Sequence, residues 1–140
     1  MNSLSPVSKP YNIREKKKGV REKFSKMIRD EVKIRYNNQC AMCYQRAHHI
    51  HHVMPKSRGG RNVITNALLL CNTCHKEVHA EKKLLNYWIR HFKDKYGKHF
   101  YHDRQDLESI YKTEFQKKNN LVVQKWLEHN EPFEIFRKSK

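Results

Sequence analysis

Two Cys-x-x-Cys pairs, Cys40/Cys43 and Cys71/Cys74, bracket the histidine-rich stretch AHHIHHVMP from Ala47 to Pro55, and His75 and His79 follow the second pair. A turn closed by two intervening residues lets both sulfurs reach one ion at about 2.3 Å, so two such turns form a tetrahedral structural zinc site that uses all four cysteines. Two disulfides would need an oxidising compartment, and the opening residues MNSLSPVSKPYNIREKKKGV contain no apolar core of a signal peptide. A thioredoxin-like redox pair would need a βαβ setting, which the surrounding pattern lacks. A segment this short buries little apolar surface by itself, so the Zn²⁺ is expected to carry much of the folding free energy.

The histidines form a second group. Ala47 to Pro55 reads as a strand, Lys56 to Asn66 as a polar loop with Gly59-Gly60 supplying turn conformations, and Ala67 to Leu70 as a short strand. After Cys74 the period changes: Val78, Leu84, Leu85, Trp88 and Phe92 fit one helix running from near His75 to Gly97, with Lys93 and Lys95 in its last turn. On that helix His75 and His79 are four apart and share a face. Neighbouring strand residues point to opposite sides, so His51 and His52 are not equivalent ligands of one ion. One imidazole can bind metal while the other takes a proton, a task suited to a side chain of pKa about 6.5. His48 and His49 carry no assigned chemistry; one is expected to line the site or touch phosphate and the other to face solvent.

The segment resembles the HNH endonuclease motif of the ββα-metal nucleases, in the subgroup with a four-cysteine zinc. The resemblance spans about residues 30–92. It rests on His51-His52-x-x-Pro55, on Gly59-Gly60, on Asn66 five positions before Cys71, and on Leu70-Cys71-x-x-Cys74-His75. It implies an α+β fold, a small zinc-stabilised ββα-metal unit with flanking helices. It also implies that His52 is the general base, that His51 and His75 hold a catalytic divalent ion with His79 as a third ligand, and that Asn66 braces the loop and so orients His52. The products would carry 5′-phosphate and 3′-hydroxyl ends. Many relatives have Asp where this chain has His51. An all-imidazole ligand set is softer than one suited to Mg²⁺, which favours Mn²⁺, Co²⁺, Ni²⁺ or Zn²⁺.

The 140 residues carry a formal charge of +16, and a polyanion is the expected partner of such a chain. DNA fits that charge and the resemblance. Lys16, Lys17, Lys18, Lys56, Arg58, Arg61, Lys82 and Lys83 are the candidate phosphate contacts. No apolar run approaches the ~20 residues of a membrane span. A cytoplasmic setting in a bacterial or phage-infected cell is expected, as monomer or homodimer; the phage and mobile-element association belongs to the resemblance alone.

Three divisions are expected: a basic, disordered arm over 1–24, the nuclease unit over 25–97, and a helical extension over 98–140 packed on it. Ser25 is a suitable N-cap for a helix to about Asn37, with Met27, Ile28, Val32 and Ile34 or Tyr36 as its apolar contacts and Asn37-Asn38 as its end. Asp103 caps a further helix with the stripe Leu107, Ile110, Tyr111, Phe115. Asn119-Asn120 breaks it, and another helix spans Leu121 to Glu128 until Glu131-Pro132, leaving Phe133 to Lys140 as a short strand or tail. The alternative from another class is a non-catalytic zinc-containing module that binds nucleic acid, and an RNA nuclease with the same machinery is a third reading.

Overall fold

A computed structural model describes residues 23–112 and 120–138, with side chains through Glu131 in the last helix. The basic stretch at Lys16, Lys17 and Lys18, and the stripe residue Phe115, lie outside the described residues.

Helix α1 spans Lys26–Arg35, and the Ser25 hydroxyl accepts from Ile28 N at 3.2 Å, as the cap signal predicts. Ile28 and Val32 are buried and Tyr36 packs beside them, whereas Met27 and Ile34 face solvent. Asn37 and Asn38 end the helix with φ of 54° and 59°, the left-handed region that asparagine tolerates. The chain then enters the first cysteine turn. That turn is tied to the sheet by Ala41 N donating to Leu69 O at 2.9 Å.

Strands β1 (His49–His52) and β2 (Ala67–Leu70) form an antiparallel pair in which His51 faces Leu68 and His52 faces Ala67. Strand β1 is shorter than the Ala47–Pro55 expected: Val53 N still donates to Asn66 O at 3.0 Å in the same register, but the facing chain at Ile64–Asn66 is a 3-10 helix rather than a strand. All four β2 residues are buried, with α1 and the next helix both packed on the strand. Of the paired glycines, Gly59 adopts φ 93°, while Gly60 is required for space: an added Cβ would lie 1.8 Å from Met54 O. Gly60→Ala therefore forces the loop backbone to move. It should destabilise the fold by about 1–3 kcal/mol, read as a lowered thermal midpoint with zinc content unchanged.

The single long helix expected from His75 is two helices, α2 (Asn72–Ala80) and α3 (Lys82–Tyr96), parted at Glu81 with φ −111° and ψ 111°. No Gly or Pro marks the break, and the apolar stripe runs through it in phase, so only the packing of each helix on its own neighbours accounts for it. Gly97 ends α3 as expected. Phe92 is buried, and Leu84, Leu85, Trp88 and Ile89 pack against the same core.

Helix α4 (Arg104–Tyr111) opens on a capping box in which Asp103 and Asp106 each accept the other's backbone N–H. Leu107 is buried but Ile110 is exposed. Helix α5 runs Leu121–Lys138 and passes through Pro132. The expectation that Pro132 would end it is overturned: the ring removes one backbone hydrogen bond, and the helix is anchored before that point. Val123 and Trp126 close a second core with Val63 and Leu107, and Trp126 Nε1 donates to His102 O at 3.0 Å. Asn130 bonds Thr65, which donates from Oγ1 to Phe100 O. These contacts brace the turn that carries Asn66.

Candidate active site

The ligand atoms of Cys40, Cys43, Cys71 and Cys74 lie within 4.8 Å of one another, and none of the four is in a disulfide. The Cys43 and Cys71 sulfurs are 3.6 Å apart, close to the about 3.8 Å between two thiolates on one tetrahedral zinc. Met42 N donates to Cys40 Sγ and Cys74 N to Cys71 Sγ, both at 3.4 Å. Burial opposes ionisation of Cys40, but the backbone N–H groups of Cys71, Cys43 and Met42 outweigh it and lower its thiol to about 7. Burial first, then the other three sulfurs, push the Cys74 thiol up, so the four sulfurs do not ionise alike without a shared cation, and the cluster fits the zinc-binding variant of the HNH fold.

One ligand nitrogen from each of His51, His75 and His79 forms a second group within 4.8 Å. His51 comes from β1, and the other two come from adjacent turns of α2, a helix fixed at its start by Cys71 and Cys74. Their rings meet edge-on at 4.7–5.4 Å. The Nε2 atoms of His75 and His79 are 3.1 Å apart, within the about 2.8–3.4 Å between two nitrogens on one octahedral or tetrahedral ion at about 2.0–2.1 Å from each. The buried Nε2 of His51 has no hydrogen-bond partner among the described residues. Leaving such a nitrogen unpartnered costs about 1–3 kcal/mol, so a shared cation is the group this cluster fits. Burial first, then the imidazoles of His75 and His79, push His51 down to about 3, and burial lowers His75 as well. Neutral imidazole is the form that binds metal.

His52 lies across the strand from this cluster. Its ring stacks on Phe24 at 4.2 Å, and its Nε2 is 2.6 Å from Asn62 Oδ1. With the amide oxygen as acceptor, Nε2 carries the proton and Nδ1 keeps its lone pair. Burial lowers the His52 pKa against the opposing pull of the Asn62 bond, so the ring is held neutral near pH 7. Neither Phe24 nor Asn62 was among the sequence candidates. Phe24 falls in the stretch read as an arm, yet it is buried, and Asn62 is a buried polar residue in a stretch read only as a polar loop.

Asn66 is fully buried. Its Oδ1 accepts from Met54 N at 2.7 Å and its Nδ2 donates to Met54 O and Arg61 O at 3.2 and 3.1 Å. The loop after β1 is thereby clamped to the start of β2. Lys56 reaches the histidine cavity, and Arg58, Lys82 and Lys83 are exposed. Arg61 instead forms a two-pronged pair with Asp106, at 2.9 and 3.2 Å. His49 is exposed and stacks on His75 with centroids 5.2 Å apart, while His48 is simply exposed.

His51, His52, His75, His79, Pro55 and Lys56 line a single cavity of about 440 Å³. Residues 40–81, which contain both clusters, match the family model described as HNH endonuclease. No curated protein and no solved structure matches the chain. Among the described residues, no helix is long and apolar enough to cross a membrane.

Proposed function

We propose, for a chain whose residues 40–81 belong to the HNH endonuclease family, that it hydrolyses phosphodiester bonds in DNA, with residues 98–140 as an extension supporting the nuclease unit of residues 25–97. The observation that carries this reading is the shared cavity, in which a three-histidine ligand set and a separately held neutral His52 border one space open to solvent and to Lys56. His51, His75 and His79 would hold a divalent ion, which would supply Lewis-acid stabilisation of the phosphate and of the departing 3′ oxygen.

The chain's own residues do the rest. His52 Nδ1 accepts a proton from a water molecule, whose oxygen attacks phosphorus. The P–O3′ bond breaks, the departing 3′ oxygen takes a proton from solvent, and a 5′-phosphate and a 3′-hydroxyl end are left. Asn62 holds the ring by its Nε2 proton and fixes which nitrogen is basic, and Phe24 limits its rotation. Lys56 offers positive charge to the incoming phosphate. Binding by so basic a chain should weaken steeply as salt rises.

The test is nicking of supercoiled plasmid by zinc-loaded protein with Mg²⁺, Mn²⁺, Co²⁺, Ni²⁺ or added Zn²⁺. Nicking should appear with a divalent ion, vanish with chelator, and be stronger with the softer ions than with Mg²⁺. DNA binding without nicking under every ion would leave only the non-catalytic binding module. Asn62→Ala should slow nicking by about 10–100-fold, and the loss should fall on the turnover rate rather than on DNA affinity.

A further inference from the structure

A second cavity, of about 350 Å³, opens between the first cysteine turn and α3. Tyr36, Tyr44, Trp88 and His91 supply its aromatic walls and Lys95 its cation, with Arg35 beside it paired to Glu31 at 2.9 Å, and none of the lining residues is acidic. The walls continue outward: Tyr87 stacks parallel to His91 with centroids 6.1 Å apart, and Trp88 meets both edge-on. Tyr44 and Tyr87 are 72% and 58% exposed, far more than aromatic residues of a core.

Two details point to a ligand. Tyr44 sits at φ 66°, where a bulky side chain costs backbone energy that Gly or Asn would not, and the cost secures no burial of its ring. The indole Nε1 of Trp88 is buried without an acceptor among the described residues. Aromatic faces beside cations, with a spare donor, are what a single nucleic-acid strand needs: bases stack on the rings, phosphates meet the cations, and a base or phosphate oxygen can accept from the indole.

We infer that this cavity holds an unpaired nucleotide of the DNA strand. The chain would then act beside single-stranded or branched segments rather than on uniform duplex. The inference rests on the nuclease reading for its substrate but not for its test. Leu85 lines the histidine cavity and Trp88 the second one, a single turn further along α3, so a strand bound in the cleft passes the stacking site within a short reach.

The test uses the zinc-loaded full chain without added catalytic ion, a labelled oligothymidylate, and a mixed-sequence duplex. Tyr44→Asn should weaken oligothymidylate binding about tenfold and leave duplex binding unchanged, with a thermal midpoint equal to or above that of the parent. Trp126 is buried in the second core, so quenching of tryptophan emission by the oligonucleotide should come from Trp88 and disappear in Trp88→Phe. Equal loss on both nucleic acids, no loss on either, or quenching that survives Trp88→Phe would overturn the inference. Because these readouts need no cleavage, a protein that fails to nick can still pass them, and one that nicks can still fail.

Discussion

Cys71→Ser should abolish the cooperative melting transition of this protein at ordinary temperatures, with zinc content falling in parallel. Cys71 has two roles, as a ligand in the sulfur cluster and as the N-cap of α2, where its sulfur accepts from Cys74 N. Serine is among the best N-caps, so the substitution keeps the second role and removes the first. Structural zinc contributes about 10–16 kcal/mol in small zinc-finger peptides, as much as the about 5–15 kcal/mol by which whole domains are stable. The two cores here are modest, and the cluster joins the 40–43 turn to both β2 and α2. Circular dichroism melts with parallel metal analysis decide the matter. A sharp, unshifted transition in Cys71→Ser would show that the sulfurs do not hold a folding ion.

His52→Ala should lower the rate of plasmid nicking by about 10²–10⁴-fold, the contribution of a positioned general base, while DNA affinity and zinc content stay at parental levels. Affinity survives because it comes from lysines and arginines spread over the surface and from the ligand set on the other side of β1. The variant loses its stack on Phe24, so a melting curve is needed to show that the protein remains folded at the assay temperature. Nicking at the parental rate by a folded His52→Ala protein would remove His52 from the chemistry. Weakened binding with unchanged turnover would make it a contact residue instead.

Much of this architecture was legible because its signals are local. The bounds of β2, the Ser25 cap, the stop at Asn37-Asn38, and the Asp103 cap follow from residues within a few positions of one another. The grouping of His75 with His79 follows from helical period alone. Contacts that close over long sequence separations were not legible. Asn62 meets His52 across the hairpin loop, and Arg61 meets Asp106 across 45 residues, so a cation read as a phosphate contact is engaged within the fold. The break at Glu81 and the passage of α5 through Pro132 escaped for a different reason. Glu81 carries no Gly or Pro signal to mark the break, and a proline removes only one backbone hydrogen bond, so neither follows from local propensity.

The loop between the strands works as a length gauge. Three of the four residues of β2 are leucine, so apart from Ala67 opposite His52 the apolar partners alone would change little if β1 slid along it by one place. Yet that slide would turn every β1 side chain over, swinging the His52 imidazole to the side of His75 and His79 and His51 to the side of Phe24, so that the proposed acceptor and the proposed ligand change places. Asn66, gripping Met54 and Arg61, sets the count that keeps the two histidines in phase. An insertion or deletion there should therefore be felt by the chemistry as well as by the fold.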